Sequence, residues 1–412
     1  MARFLDVYLY RERVGLLIQD DHGQMLFDYA ESWLASPNAR PLSNSLPLRA
    51  ERFKRNECRG FFAGILPEED KRETIARNLG VSARNDFSLL EQIGGECAGA
   101  VSFMPAGESL PQPNGHYRIL TDKDLAAVLE ALPRRPLMAG EEGIRLSLAG
   151  AQDKIAVRLE NGKISVPLDS APSTHIIKPA IECFEGIVFN EAFCMQLAKE
   201  IRIPSAVTSI QQAQGIDYLL IERYDRIHDD KGNIHRLHQE DFCQALGIVP
   251  ELKYQSEGGP SLRQCVDLLR TVSSVPVIDL QRLLDMVIFN FLIGNNDAHG
   301  KNFSLLYRHE STRLTPLYDA LSTVYYPDLS KKMAMKVGGE FEFENIFPRH
   351  IEKFAEEVGF GKALLKARLR ELAELITETL GHMDVRHPVA YGLSALIIQR
   401  CHTVMERFRP TR

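Results

Sequence analysis

The sequence predicts an α+β protein of two lobes, with a β-rich N-terminal part and a helical C-terminal lobe. Three observations carry this. Residues 4–10, 14–19 and 25–29 are strand-like runs, with Asp21-His22-Gly23 as one turn, so they read as a meander. Residues 144–226 alternate strand-like runs with one helical run. From about Gln239 helices dominate, with clear periodicity over 349–380 and 389–408. At 412 residues the chain can bury a sizeable core in two or three subdomains. Pro- and Gly-rich stretches at 105–115 and 133–143 mark a boundary. The division is 1–138, a meander plus helices; 139–226, a β-rich lobe; and 227–412, a helical lobe.

Taken in order, residues 61–100 follow the meander as mostly helix. Ser147-Leu148-Ala149-Gly150-Ala151-Gln152-Asp153-Lys154 reads as a small-residue loop that runs into a strand. Small side chains let backbone N–H groups approach phosphate oxygens closely, although the string is neither Walker A nor G-x-G-x-x-G and also fits an ordinary turn. Ser173–Pro179 is a short apolar strand that carries Lys178 near its end, where it can meet a phosphate. Phe189–Lys199 is an amphipathic helix, and Glu191 on its first turn is a candidate partner for Lys178 or simply an acid favoured by the helix dipole. Tyr218–Arg226 has the form of a buried strand. It either ends plainly or runs into a hinge whose backbone near Glu222 and Tyr224 meets an adenine edge.

The most informative stretch is Gly294-Asn295-Asn296-Asp297-Ala298-His299-Gly300-Lys301-Asn302, followed by Pro316-Leu317-Tyr318-Asp319. Leu283, Val287, Ile288, Phe291 and Leu292 recur at helical spacing before it, and Gly294 suits a helix end because it adopts a left-handed conformation freely. Phe303–Tyr307 and Arg313–Leu317 look like strands joined by the polar turn Arg308–Thr312. That hairpin would return Asp319 to the neighbourhood of Asn302. Clusters of Asn, Asp and Gly are most often surface turns. An Asp five residues before an Asn, with a second Asp one hairpin later, is nevertheless the layout of a kinase active site. There the first Asp accepts a hydroxyl proton, while the Asn and later Asp hold the magnesium that bridges ATP phosphates. Asp297 is the candidate base, with Lys301 and His299 as further catalytic candidates, and Asn302 and Asp319 are the candidate metal ligands. Oxygen ligands completed by water and phosphate suit Mg2+. No second His or Cys stands at zinc-ligand spacing from His299.

A net charge of −6 gives no general attraction to nucleic acid or anionic membrane, so any DNA association must be local or through a partner. Met1–Asp21 has no signal-peptide core, and no apolar run approaches the ~20 residues of a membrane span. The seven cysteines, Cys58, Cys97, Cys183, Cys194, Cys243, Cys265 and Cys401, are scattered without C-x-x-C pairs, as expected of reduced cytoplasmic thiols.

The pattern resembles the HipA family of bacterial toxin kinases, over nearly the whole chain. The resemblance rests on residues 33–43, Leu146–Lys154, His175–Lys178, Ile221–Asp225, Gln239-Glu240-Asp241, Glu257-Gly258-Gly259-Pro260, Asn296–Asn302 and Tyr318–Ser322. It implies a protein-kinase-like fold and ATP with Mg2+ as cofactors. It implies Asp297 as base, Asn302 and Asp319 as magnesium ligands, and Lys178 on the phosphates. The 148–154 loop would cover those phosphates and Glu222 to Tyr224 would form the hinge. Ser147 matches the serine that family members autophosphorylate; a phosphate adds about −1.5 to −2 charges, which beside a phosphate-cradling loop is self-inactivating. The implied partners are a HipB-like DNA-binding antitoxin and a translation-linked protein substrate such as an aminoacyl-tRNA synthetase. Asn296 stands where many members carry Thr, and His after the Asp also resembles lipid kinases. The competing functions are therefore a small-molecule or lipid kinase, which would turn over ATP without labelling protein, and a co-repressor pseudokinase, which would not bind ATP–magnesium.

Overall fold

A computed structural model describes residues 2–111, 116–181 and 184–409; residues 112–115 of the expected boundary stretch and Cys183 lie outside the described residues. Two compact units form. The first comprises Met1–Pro179, Gln211–Glu251 and Leu305–Glu310, and the second Ala180–Ile210, Leu252–Ser304 and Ser311–Arg412.

In the first unit the expected meander is an antiparallel sheet, with strands Met25–Tyr29, Glu12–Gln19, Arg3–Leu9 and Val101–Pro105 in that order. Alternation sends Leu5, Val7 and Leu9 to one face, where all three are buried. Helices Arg55–Gly64, Glu69–Leu79 and Asp86–Ile93 occupy most of the stretch expected to be helical. Phe27 packs against Tyr29, Phe53 and Phe62 with ring centroids 4.9 to 6.0 Å apart. A second sheet places His175–Pro179 between Ile155–Glu160 and Ile216–Glu222, antiparallel to both. One apolar cluster joins the two sheets, from Leu5 through Phe103 and Ile155 to Leu220.

Glu240 is a buried acid in this unit, 1% exposed. Its carboxylate accepts hydrogen bonds from Ser43 Oγ, from the Tyr307 hydroxyl and from the Asn44 N–H. Burial nevertheless outweighs those donors and pushes its pKa up from 4.5 to about 7. A raised folded-state pKa means the protonated form is favoured by folding. This contribution is complete below pH 4.5 and is lost as pH rises through about 7. Glu240→Gln is therefore expected to flatten the stability loss between pH 4.5 and about pH 7 in thermal melts. An unchanged pH slope would refute the assignment.

The second unit is mostly helical. Ser261 caps helix Leu262–Val272 through a capping box with Gln264, and Pro276 opens helix Pro276–Ile293 at its first position. The latter ends as expected at Gly294, which adopts φ +76. Arg400 donates to the carbonyls of Phe291 (2.8 Å) and Leu292 (3.2 Å) at that helix end, where the dipole favours a cation. Helices Pro348–Val358, Lys362–Leu380 and Pro388–Arg407 follow, close to the periodic stretches seen in the sequence. No helix among the described residues is long and apolar enough to cross a membrane.

Candidate active site

The loop after Gly294 is held by its own side chains and backbone. Asn295 Nδ2 donates to Asn290 Oδ1 at 2.8 Å, and Asn295 Oδ1 accepts from the Asp297 N–H at 3.2 Å. Asn296 is tied on three sides. Its N–H reaches Thr323 Oγ1 (2.8 Å), its amide reaches the Ser330 carbonyl (3.0 Å), and its carbonyl accepts from the Ala334 N–H (2.8 Å). Asp297 is left exposed, whereas Asn296, His299, Lys301 and Asn302 are buried. A polar surface turn would expose most of these groups; here one carboxylate faces outward from a pinned frame.

The strands after the loop are Ser304–Arg308 and Ser311–Leu314, so the turn is shorter than the sequence suggested, with His309 at φ +48. The Thr315 N–H donates to the Ser304 carbonyl at 3.0 Å, which closes the base of this excursion. Tyr318 reinforces the closure, with its hydroxyl on the Lys301 carbonyl and on Ser304 Oγ, each at 2.7 Å. Asp319 is consequently brought to Asn302, whose Nδ2 donates to Asp319 Oδ2 at 3.1 Å. Asp319 has φ +57, an uncommon conformation for a residue other than glycine that a surrounding structure must hold in place. Asn302 Oδ1 accepts from the His299 N–H at 3.1 Å.

Among the described residues no group of three or more His, Cys, Asp or Glu side chains is arranged to hold a metal ion. Asn302 and Asp319 offer one amide and one carboxylate side by side, hard donors too few to enclose an ion. That set fits magnesium, which keeps several waters and takes substrate phosphate oxygens as further ligands.

Apart from Glu191, which is in the second unit, the other sequence candidates lie in the first unit. Ser147 is fully buried, donates to the Ile65 carbonyl at 3.0 Å, and sits where Leu146–Ser147 pairs in parallel with Glu96–Cys97. The loop that follows is folded on itself. Lys154 Nζ donates to the Ala149 carbonyl at 2.6 Å, the Gly150 carbonyl accepts from the Glu68 N–H at 3.2 Å, and Gly150 adopts φ +107. Asp153 is buried and pairs with Lys71 at 2.6 Å. Leu148 is buried, and Ala149, Ala151 and Gln152 are partly exposed. Lys178 is buried on its strand in register with Leu219. Glu222 ends the next strand, exposed, and the Tyr224 hydroxyl donates to Gln239 Oε1 at 2.6 Å.

Two features escaped sequence reasoning. Between Glu222 and Tyr224, Arg223 turns inward into a buried ionic network with Glu96, Asp225 and Arg226. No local pattern announces Glu96, which is 127 residues away from Arg223. The second is Tyr254, whose hydroxyl donates to Asp297 Oδ1 at 2.6 Å. The nearby Glu257-Gly258-Gly259-Pro260 string was the only signal for it.

Comparison with known proteins gives the same outline. The family model "HipA N-terminal domain" matches residues 5–104, and "HipA-like C-terminal domain" matches residues 146–380. A putative kinase, Y4mE, of Sinorhizobium fredii (strain NBRC 101917 / NGR234) is 47% identical over 386 residues, covering 93% of this chain and 92% of its own. The serine/threonine-protein kinase toxin HipA of Shewanella oneidensis is 30% identical over 371 residues, covering 87% and 84%. In three dimensions the chain is similar to one from the Shewanella oneidensis MR-1 complex of HipA, HipB and operator DNA. The TM-score is 0.85 at 27% identity, over 99% of this chain and 100% of that one. The fold is thus the α+β, kinase-like one expected. With more than half its length inside the HipA-like C-terminal domain, and a HipA toxin alignable over most of both lengths, this chain belongs to the HipA family.

Proposed function

We propose that the protein is an ATP-dependent serine/threonine protein kinase, the toxin of a HipA/HipB-like toxin–antitoxin pair. The observation that carries this reading is the convergence of Asn302 and Asp319, 3.1 Å apart, beside a loop that presents Asp297 outward. Phosphoryl transfer asks for positioning and charge neutralisation more than for covalent chemistry, and these three side chains are the minimum set. Asp297 takes the proton of the attacking hydroxyl, and Asn302 and Asp319 hold Mg2+. His299 fixes Asn302 through its backbone N–H, and Lys301 supplies positive charge for the transferring phosphate. Lys178 binds ATP phosphates, residues 148–154 cover them, and the backbone of Glu222 to Tyr224 meets the adenine. Magnesium, when bound, neutralises charge developing on the phosphates.

Ser147 is the self-inactivation site in this reading. Its hydroxyl is buried against the Ile65 carbonyl, and a dianionic phosphate there is both too large and too costly to bury unpaired. Modification would therefore hold the 148–154 loop out of its present position. The partner is a HipB-like antitoxin, through which DNA is reached indirectly, consistent with the net charge of −6. The substrate is a translation-linked protein such as an aminoacyl-tRNA synthetase, met in the cytoplasm.

The test is mass analysis of the intact protein and its peptides after incubation with ATP and magnesium, with cell lysate as a source of substrates. Phosphate is expected on Ser147 and on at least one lysate protein, and on neither with Asp297→Ala. Labelled lysate proteins with unmodified Ser147 would remove the autoregulatory part. No labelled protein at all, with ATP still consumed, would favour a small-molecule kinase.

A further inference from the structure

The string Glu257-Gly258-Gly259-Pro260 has no place in the chemistry described so far, yet its geometry leads to Asp297. The Gly259 N–H donates to the Tyr254 carbonyl at 2.9 Å, and the Glu257 N–H reaches the same oxygen at 3.0 Å. A Cβ on Gly259 would lie 2.3 Å from the Leu252 carbonyl oxygen and 2.7 Å from the Lys253 backbone, so only glycine allows this close approach. Gly258 adopts φ +108, again a glycine conformation. Gln255 Oε1 accepts from the Lys336 N–H at 2.7 Å, which fastens the turn to strand Lys332–Val337. The two glycines therefore fold residues 252–259 into a rigid bracket with Tyr254 at its inner edge.

The Tyr254 ring is itself held. It meets the His299 ring edge-on at 5.4 Å, and Lys253 Nζ lies 5.5 Å from its centroid. Its hydroxyl donates to Asp297 Oδ1 at 2.6 Å, a charge-assisted hydrogen bond on an otherwise exposed carboxylate. An exposed Asp samples several side-chain orientations, and a base must meet its hydroxyl within hydrogen-bond reach.

We infer that Tyr254 is a positioning residue for Asp297: fixed by the Gly258-Gly259 turn, it holds Oδ1 and thereby aims Oδ2 at the incoming substrate hydroxyl. This rests on the reading of Asp297 as the base. In this assignment Tyr254 acts only through Asp297, so its loss should weaken the chemical step and leave ATP binding alone.

The experiment is single-turnover phosphorylation of the lysate-derived substrate by wild type, Tyr254→Phe, Asp297→Asn and the double variant, with KM for ATP measured in parallel. Tyr254→Phe retains the ring against His299 and removes only the hydroxyl. Its expected effect is a roughly 10- to 100-fold lower rate, the range for losing one hydrogen bond to a charged acceptor, with KM for ATP unchanged. In the Asp297→Asn background the same substitution should change the rate less than twofold, because the group it positions is no longer a base. Gly259→Ala, which displaces the bracket while keeping Tyr254, should reproduce the loss in rate with ATP binding retained. An unchanged rate in Tyr254→Phe overturns the inference, as does an equal loss with and without Asp297. Full activity in Asp297→Asn would instead overturn the underlying assignment of the base, and this inference with it.

Discussion

Asp297→Ala is expected to slow phosphoryl transfer to protein by about 10²–10⁴-fold, the usual contribution of a positioned base. At 1.36 kcal/mol per decade this is about 3–5 kcal/mol of lost transition-state stabilisation. The folded state should be indifferent to the change. Asp297 is exposed, and its neighbours Asn295 and Asn296 are anchored through groups the substitution leaves in place. KM for ATP should also stay near the wild-type value, because the carboxylate addresses the acceptor hydroxyl in the proposed assignment. Asp319→Ala gives a contrasting signature. Its carboxylate is half of the proposed metal site, so a raised magnesium requirement should accompany the lost rate. Steady-state kinetics across a magnesium titration separates the two. Asp297→Ala retaining a wild-type rate, or Asp319→Ala showing wild-type magnesium dependence, would undo the assignment.

The largest expected effect on stability is at Glu96. This carboxylate is fully buried and contacts Arg226 (2.6 Å), Arg223 (3.2 Å) and Arg236 (3.3 Å). It also accepts from Ser173 through N–H (3.1 Å) and Oγ (2.9 Å). Burial by itself would raise its pKa, but Arg226, Arg236 and Arg223 together outweigh burial and hold it down at about 2. Glu96→Ala leaves Arg223 and Arg226 buried with Asp225 as their remaining acid and is expected to cost about 3–5 kcal/mol in denaturant unfolding. A depressed folded-state pKa fixes the sign of the pH effect. The contribution of Glu96 is complete above 4.5 and is lost only as pH falls toward about 2. Glu96→Gln should remove that acid-limb dependence. The network clasps Arg223 between Glu222 and Tyr224, so, with these residues as the proposed adenine hinge, loosened ATP binding should accompany the loss of stability. A cost below about 1 kcal/mol would reduce the network to the worth of a surface ion pair.

How far the site was legible depended on the range of the interactions that build it. The helix before the candidate catalytic loop and its glycine stop were readable because period and capping are local. The strands after it were readable as elements, but their ends were misplaced, since His309 takes a positive φ and allows a tighter turn than the polar run Arg308–Thr312 suggested. Ser147 could be named as a candidate, yet its burial against Ile65 could not be foreseen, because the partner is 82 residues away.

The sequence by itself determined the fold class and the family, and it carried the residues on which the proposed chemistry rests. Asp297, Asn302 and Asp319 occur at a spacing few other functions need, and helical and strand periods are written into consecutive residues. Tertiary structure alone decided that Asn302 and Asp319 actually meet, that Glu96 pairs with three arginines from a remote segment, and that Tyr254 grips Asp297. The physical reason is that hydrogen bonds and ion pairs form between atoms a few ångströms apart in space. Periodicity and capping report only what lies within a few residues along the chain, and the contacts between remote segments wait for packing to choose the neighbours.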